Sequence, residues 1–191
     1  MERDGERELI VAAQGGDRAA AEALLVRVEL AVHRICRHLL PAEEDPEAAA
    51  QEALLRVLKG LPRYAGHGSF AGWVATIAVN LCRDRMRRRR LVPFVPLETD
   101  DEAEHGGPLA VIPASAPDPE RVAMARQAMR RVRSEVALLP ERQREVFALR
   151  FWVGLELEAI AAALGVDVGT VKTHLHRAVH RVREAVAEAV P

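Results

Sequence analysis

Aromatic residues are scarce in this 191-residue chain, at 4% of the sequence. Extended apolar runs and β-rich segments are missing as well. Alanine and leucine dominate instead, which favours helices over sheets. No apolar run approaches the ~20 residues of a membrane span. The N-terminus, MERDGERELI, is charged and has no apolar signal core, so a cytoplasmic location is expected. Cysteine is almost absent: Cys36 and Cys82 form no CxxC pair and read as buried thiols in a reducing compartment. No nucleophile–base constellation, phosphate-cradling loop or metal-ligand cluster is legible. The chain therefore reads as a binding protein rather than an enzyme, with no cofactor and no metal. His176 and His180 have a metal-compatible spacing but no third ligand.

Lysine is rare too, with only Lys59 and Lys172 among the 27 cations. The formal net charge of −1 conceals an asymmetry. Residues 1–90 carry 15 basic and 13 acidic side chains, residues 91–120 none and 7, and residues 121–191 carry 12 and 8. Two mildly basic lobes thus flank an acidic connector, a distribution compatible with nucleic-acid binding. The connector holds Pro93, Pro96, Pro108, Pro113, Pro117 and Pro119, a Gly106-Gly107 pair and the acidic run, which argue against a packed element. A flexible tether is expected there.

Apolar spacing predicts helices on both sides of it. Residues 6–40 hold one or two, broken at Gly15-Gly16-Asp17, with Leu24, Leu25, Val28, Val32, Ile35, Cys36 and Leu39 on one face. Asp45-Pro46-Glu47 is a good helix start, with a cap, a residue suited to the first turn and a favourable charge at the positive helix end. Its exposed acids are either a solvated helix start or a docking face for a basic partner. The loop 62–69 leads into a helix from about Phe70 to Arg90, with Trp73, Val74, Ile77 and Leu81 inward and Asn80, Arg83 and Arg87 outward. Tyr64 and Phe70 beside this basic helix suit either a core or the stacking of single-stranded bases. Residues 118–138 and Glu141 to Trp152 read as two further helices, the latter carrying Val146, Phe147, Leu149 and Phe151.

The most informative stretch is Leu155–Arg183. Leu157, Ile160, Ala161 and Leu164 share a helix face. Gly165 marks a left-handed end. Asp167 caps a second helix, on which Val168, Val171, Leu175, Val179 and Val182 continue the apolar stripe. Its other face presents Thr170, Lys172, Thr173, His174, His176, Arg177 and Arg181, with Gly169 beside them as a further candidate −35 residue. An apolar face opposite a face of hydrogen-bond donors is what a helix in a DNA major groove requires. Arg150, just upstream, suits a phosphate.

Four blocks in order, D-P-E-A-A-A-Q-E (Asp45–Glu52), F-A-G-W-V-A-T-I-A-V-N-L-C-R-D (Phe70–Asp84), L-P-E-R-Q-R-E-V-F-A-L-R (Leu139–Arg150) and the helix-turn-helix, resemble the bacterial RNA polymerase sigma-70 family. The similarity is to its small extracytoplasmic-function (ECF) class. The resemblance implies an all-α fold of two small helical domains: region 2 over residues 6–90 and region 4 over residues 121–189, joined by the flexible acidic linker 91–120. It implies binding to core RNA polymerase through the β and β′ subunits, with Asp45, Glu47, Gln51 and Glu52 on the β′ clamp. It implies −10 opening by Tyr64, His67, Ser69, Phe70, Asn80, Arg83 and Arg87, and −35 reading by Arg150 and the helix-turn-helix donors. It also implies a linker threading towards the RNA exit path, and an anti-sigma partner.

The chain departs from the family pattern at several positions. Ala48 stands where an aspartate is usual and Ala21 where an aromatic is usual. Glu156 stands in place of a serine cap, and His174 and His180 in place of basic residues. Two other functions fit the residues less completely. A conventional helix-turn-helix regulator, acting without polymerase, leaves the Phe70–Arg90 block without a purpose. A sigma-like decoy, titrating polymerase or an inhibitor, is separated from an initiation factor by in vitro transcription.

Overall fold

The structure is a computed structural model, describing residues 2–41, 43–91 and 119–187. Every regular element among them is helical. The first bundle comprises α1 (Glu2–Gln14), α2 (Arg18–Leu39), α3 (Pro46–Gly60) and α4 (Phe70–Leu91), with a single 3₁₀ turn at Leu61–Arg63. The second comprises α5 (Pro119–Ala137), α6 (Glu141–Phe147), α7 (Leu157–Leu164) and α8 (Val168–Ala187). Most of the segment expected to be a linker lies outside the described residues. None of the described helices is long and apolar enough to cross a membrane.

The caps act where the sequence places them. Asp17 accepts hydrogen bonds from the amides of Ala19 (2.8 Å) and Ala20 (3.1 Å), and Asp45 accepts from Glu47 (2.9 Å) and Ala48 (3.1 Å). Each satisfies amides that have no partner inside the helix. Leu24, Val28, Val32, Ile35 and Leu39 bury one stripe of α2, which packs on α3 and α4. Fully burying a side chain of this size stabilises by about 1.5–3 kcal/mol. Ala21, a departure from the aromatic usual at this position, is buried against this core. α1 anchors the loop before α4, because Gln14 Nε2 donates to the carbonyls of Leu61 (3.1 Å) and Tyr64 (2.8 Å).

One feature departs from the sequence reading. The helix expected from Glu141 to Trp152 remains α-helical only to Phe147 and then widens into a π-helical turn, Ala148–Val153. Gly154 (φ 85°) ends it, and the Leu155 amide returns to the Leu149 carbonyl at 2.9 Å. The wider turn rotates the following side chains. Trp152 is buried, whereas Phe151, expected among the apolar contacts, is 49% exposed. The relative placement of the two bundles, which the sequence leaves open, is one of contact. α7 packs along α4 and the π turn packs on α2, so that their buried side chains form one contiguous core.

Candidate nucleic-acid interface

The helix-turn-helix is built by local chemistry. Gly165 takes φ 67° and its amide closes α7 on the carbonyls of Ala161 and Ala162. Glu156 at the start of α7 makes no side-chain cap. At the start of α8, Asp167 accepts from the Thr170 amide (2.9 Å) and from Thr170 Oγ1 (2.7 Å). These bonds, the Thr170 side chain first, hold the Asp167 carboxyl below its ordinary pKa. Gly169 permits this arrangement, since a Cβ there would meet Asp167 Oδ1 at 2.9 Å. Val171, Ala178 and Val182 are buried, while Val168, Leu175 and Val179 are half-buried. Lys172, Thr173, His176 and Arg177 lie exposed on the other side.

Two of the expected donors on α8 have work inside the protein, and a third is enclosed without a partner. Thr170 belongs to the cap, Thr173 Oγ1 donates back to the Gly169 carbonyl at 3.0 Å, and His174 is half-buried with Nδ1 enclosed and unpaired. Arg150 binds the Leu155 carbonyl (2.9 Å) and Glu156 (3.1 Å), so it braces the entry to α7. His180 lies 2.9 Å from Glu184. Among the described residues no group of three or more histidine, cysteine, aspartate or glutamate side chains gathers as a metal site. Beside the donor face runs a groove lined by Phe151, Leu175 and Val179, with Lys172, His176 and Arg183 around it.

In the first bundle, Asn80 and His67 are exposed. Ser69 caps α4, its Oγ accepting from the Gly72 amide at 3.1 Å. Phe70 is 2% exposed and meets Tyr64 edge-on, with ring centroids 5.6 Å apart; Trp73 closes the cluster. In this conformation both rings whose role was open lie in the core. Three arginines of α4 pair within their own bundle: Arg87 with Asp84 (2.8 Å), Arg85 with Glu52 (2.8 Å), Arg89 with Glu43 (2.7 Å). Arg83 leaves its own bundle altogether. Its Nε and Nη2 hold the two oxygens of Glu145 on α6 at 2.7 and 2.8 Å. That hydrogen bonding raises the guanidinium pKa above its ordinary value.

The acidic helix start is also engaged internally. Glu47 binds His33 Nδ1 (2.7 Å) and Arg37 (2.9 Å), and Glu52 binds Arg56 (2.6 Å) and Arg85. The same two helices expose Val26 and Leu30 on α2 and Leu55 and Leu58 on α3. These were missed in the sequence reading, although Val26 and Leu30 stand four apart and off the buried stripe, a legible signal.

The sequence matches Sigma-70 region 2 over residues 24–92 and Sigma-70, region 4 over residues 129–182. It is 31% identical over 199 aligned positions to the ECF RNA polymerase sigma factor SigD of Mycobacterium tuberculosis, covering 99% of this chain and 88% of that one. The fold is similar to the solved structure of CnrH in complex with the cytosolic domain of CnrY (TM-score 0.67, 22% identity, 97% of this chain and 99% of that one). It is also similar to sigma factor RpoE in complex with the anti-sigma factor NepR from Bartonella quintana (TM-score 0.65, 21% identity, 87% and 96%).

Proposed function

The chain belongs to the sigma-70 family of RNA polymerase sigma factors, in its ECF class, and from that premise we propose how its residues divide the work of initiation. It binds core RNA polymerase and directs promoter-specific transcription, as a cytoplasmic initiation factor rather than an enzyme. Residues 6–90 act as region 2 and residues 121–189 as region 4, with 91–120 as the tether. The observation that carries this reading is the presence, in one chain, of a helix-turn-helix with a donor face and a second four-helix bundle bearing the arginine-rich α4.

The α3 surface with Asp45, Glu47, Gln51 and Glu52 docks on the β′ subunit. Leu55 and Leu58, with Val26 and Leu30 on α2, supply apolar area that the ion-paired acids do not. The groove beside Phe151 is the apolar surface that region 4 offers to the β subunit. Lys172, Thr173, His176 and Arg177 face the −35 duplex, with Gly169 allowing close approach and Thr170, His174 and Arg150 positioning the helix. Asn80 suits base-edge reading, since its amide carries both donor and acceptor. Arg83 and Arg87 suit phosphates. Tyr64, His67, Ser69 and Phe70 frame the loop where a −10 base is captured. Extruding a base costs a few kcal/mol, which stacking and edge bonds must offset. By likeness to the complex with NepR, an anti-sigma protein is the expected inhibitor.

Run-off transcription with core polymerase on a pool of genomic promoter fragments tests this function. Discrete transcripts from a shared promoter motif are expected. Failure to form a complex with core polymerase would refute it. Duplex binding as a dimer without polymerase would point to a conventional regulator instead.

A further inference from the structure

Cys36 and Cys82 take no part in the function proposed above, yet the fold brings them together. Cys36 lies on the buried stripe of α2, and Cys82 lies on α4, 46 positions along the chain. Their sulfurs are 3.9 Å apart, with Cys82 donating to Cys36. Both side chains are 0% exposed, and neither is in a disulfide. Among the described residues no further histidine, aspartate or glutamate joins them to make a metal site. The pair is a free dithiol held in contact inside the first bundle.

Two features prepare this dithiol for oxidation. The thiolate is the reactive form of cysteine. The hydrogen bond from Cys82 lowers the Cys36 pKa against the effect of burial, and the positive charge of Arg85 acts in the same direction. Arg85 is held in place by Glu52 (2.8 Å) and Glu44 (3.5 Å). Cys36 is thus the sulfur that ionises first, and Cys82 is the resolving thiol already in contact with it. A disulfide bond is about 2.05 Å long, so the sulfurs must approach by roughly 1.9 Å, the scale of a rotamer change rather than of a helix displacement. Burial sets the other condition. With both sulfurs closed to solvent, reaction waits on local opening of α4 against α2 and favours a small oxidant over a bulky one.

We propose that Cys36 and Cys82 are an oxidation site, converted by a peroxide into a reversible disulfide within one chain that ties α2 to α4. The Cys36 thiolate attacks a peroxide oxygen, the O–O bond breaks, and Cys36 becomes a sulfenic acid. The departing hydroxide takes up a proton and leaves as water. The Cys82 sulfur then attacks the Cys36 sulfur, the S–O bond breaks, and the second hydroxide leaves as water with the Cys82 proton. Two thiols lose two electrons and two protons, and one hydrogen peroxide becomes two waters. Disulfides in a reducing compartment are characteristically transient and redox-sensing. The bond closes a long loop, which restricts the unfolded chain and stabilises the first bundle while the oxidant persists. None of this depends on the initiation reading, since neither thiol is assigned to polymerase or DNA.

The test uses the full chain, reduced and then freed of reductant. It is treated with millimolar hydrogen peroxide, quenched with catalase and alkylated in urea. Non-reduced peptide mapping should show a crosslink between Cys36 and Cys82 in a chain that stays monomeric. The thiol count in urea should fall from two to none and return on adding dithiothreitol. The oxidised sample should unfold at higher urea than the same sample after dithiothreitol, a comparison that leaves methionine sulfoxide equal in both. Cys82→Ala, shown folded by circular dichroism, removes the resolving thiol and should gain oxygen at Cys36 instead. Cys82→Ser serves if the alanine variant does not fold. Retention of both thiols by the folded parent, crosslinking only between chains, a urea midpoint no higher in the oxidised form, or an unreactive Cys36 in the folded variant would each overturn the proposal.

Discussion

Glu52 joins two helices: its carboxylate binds Arg56 one turn along α3 and Arg85 on α4. The hydrogen bond from Arg85, above all, holds its pKa below the ordinary glutamate value. A carboxyl whose folded pKa is depressed contributes stability above its unfolded pKa and loses it as pH falls through the folded one. Glu52→Gln should therefore lower the urea midpoint at pH 7, and the difference from the parent should vanish in acid, below the ordinary glutamate range. The effect is modest because the side chain is 40% exposed and screened by solvent. Cys36 and Cys82 show what single residues do not reveal. They read as separate buried thiols, and both are buried, but their sulfurs are 3.9 Å apart. Cys82 donates to Cys36, which pushes the Cys82 pKa up and lowers that of Cys36.

At the scale of elements, the α7–α8 turn depends on one backbone conformation. Gly165 at φ 67° is a left-handed end that a Cβ strains. Gly165→Ala should cost about 1 kcal/mol in urea unfolding, and Gly165→Asn less, because asparagine tolerates this region better. The donor face of α8 makes a separable prediction. Arg177 is exposed and outside the core, so Arg177→Ala should leave helicity and core-polymerase binding unchanged while reducing −35-dependent run-off synthesis by tenfold or more, consistent with the 1–3 kcal/mol of a good base contact. The π turn is the element that periodicity misses. Apolar spacing locates a buried face, but it does not show where a single turn widens to a five-residue hydrogen bond and shifts that face along the chain. Gly154 and the Arg150–Leu155 bond fix the wider turn, and only their geometry shows that Trp152 turns inward and Phe151 outward.

At the scale of the whole molecule, the shared core is expected to make the two bundles unfold as one cooperative body. In a Trp73→Phe background, Trp152 is the remaining tryptophan. Its emission and the far-UV circular dichroism should then follow one urea transition, whereas independent bundles would give two. By itself the sequence determined the helices, their caps, the helix-turn-helix and the family, because those signals act within a few residues: Asp45 on Glu47 and Ala48, Asp167 on Thr170, Gly165 on the end of α7. It also marked Arg83 and Asn80 as outward-facing residues of α4. Only the tertiary structure decided what Arg83 faces. Its partner Glu145 lies 62 positions away, on a helix whose own periodicity is satisfied either way, and Cys36 meets Cys82 across 46. Such pairings depend on how one amphipathic face docks on another, and hydrophobic burial, being non-directional, leaves that choice to shape and charge in three dimensions.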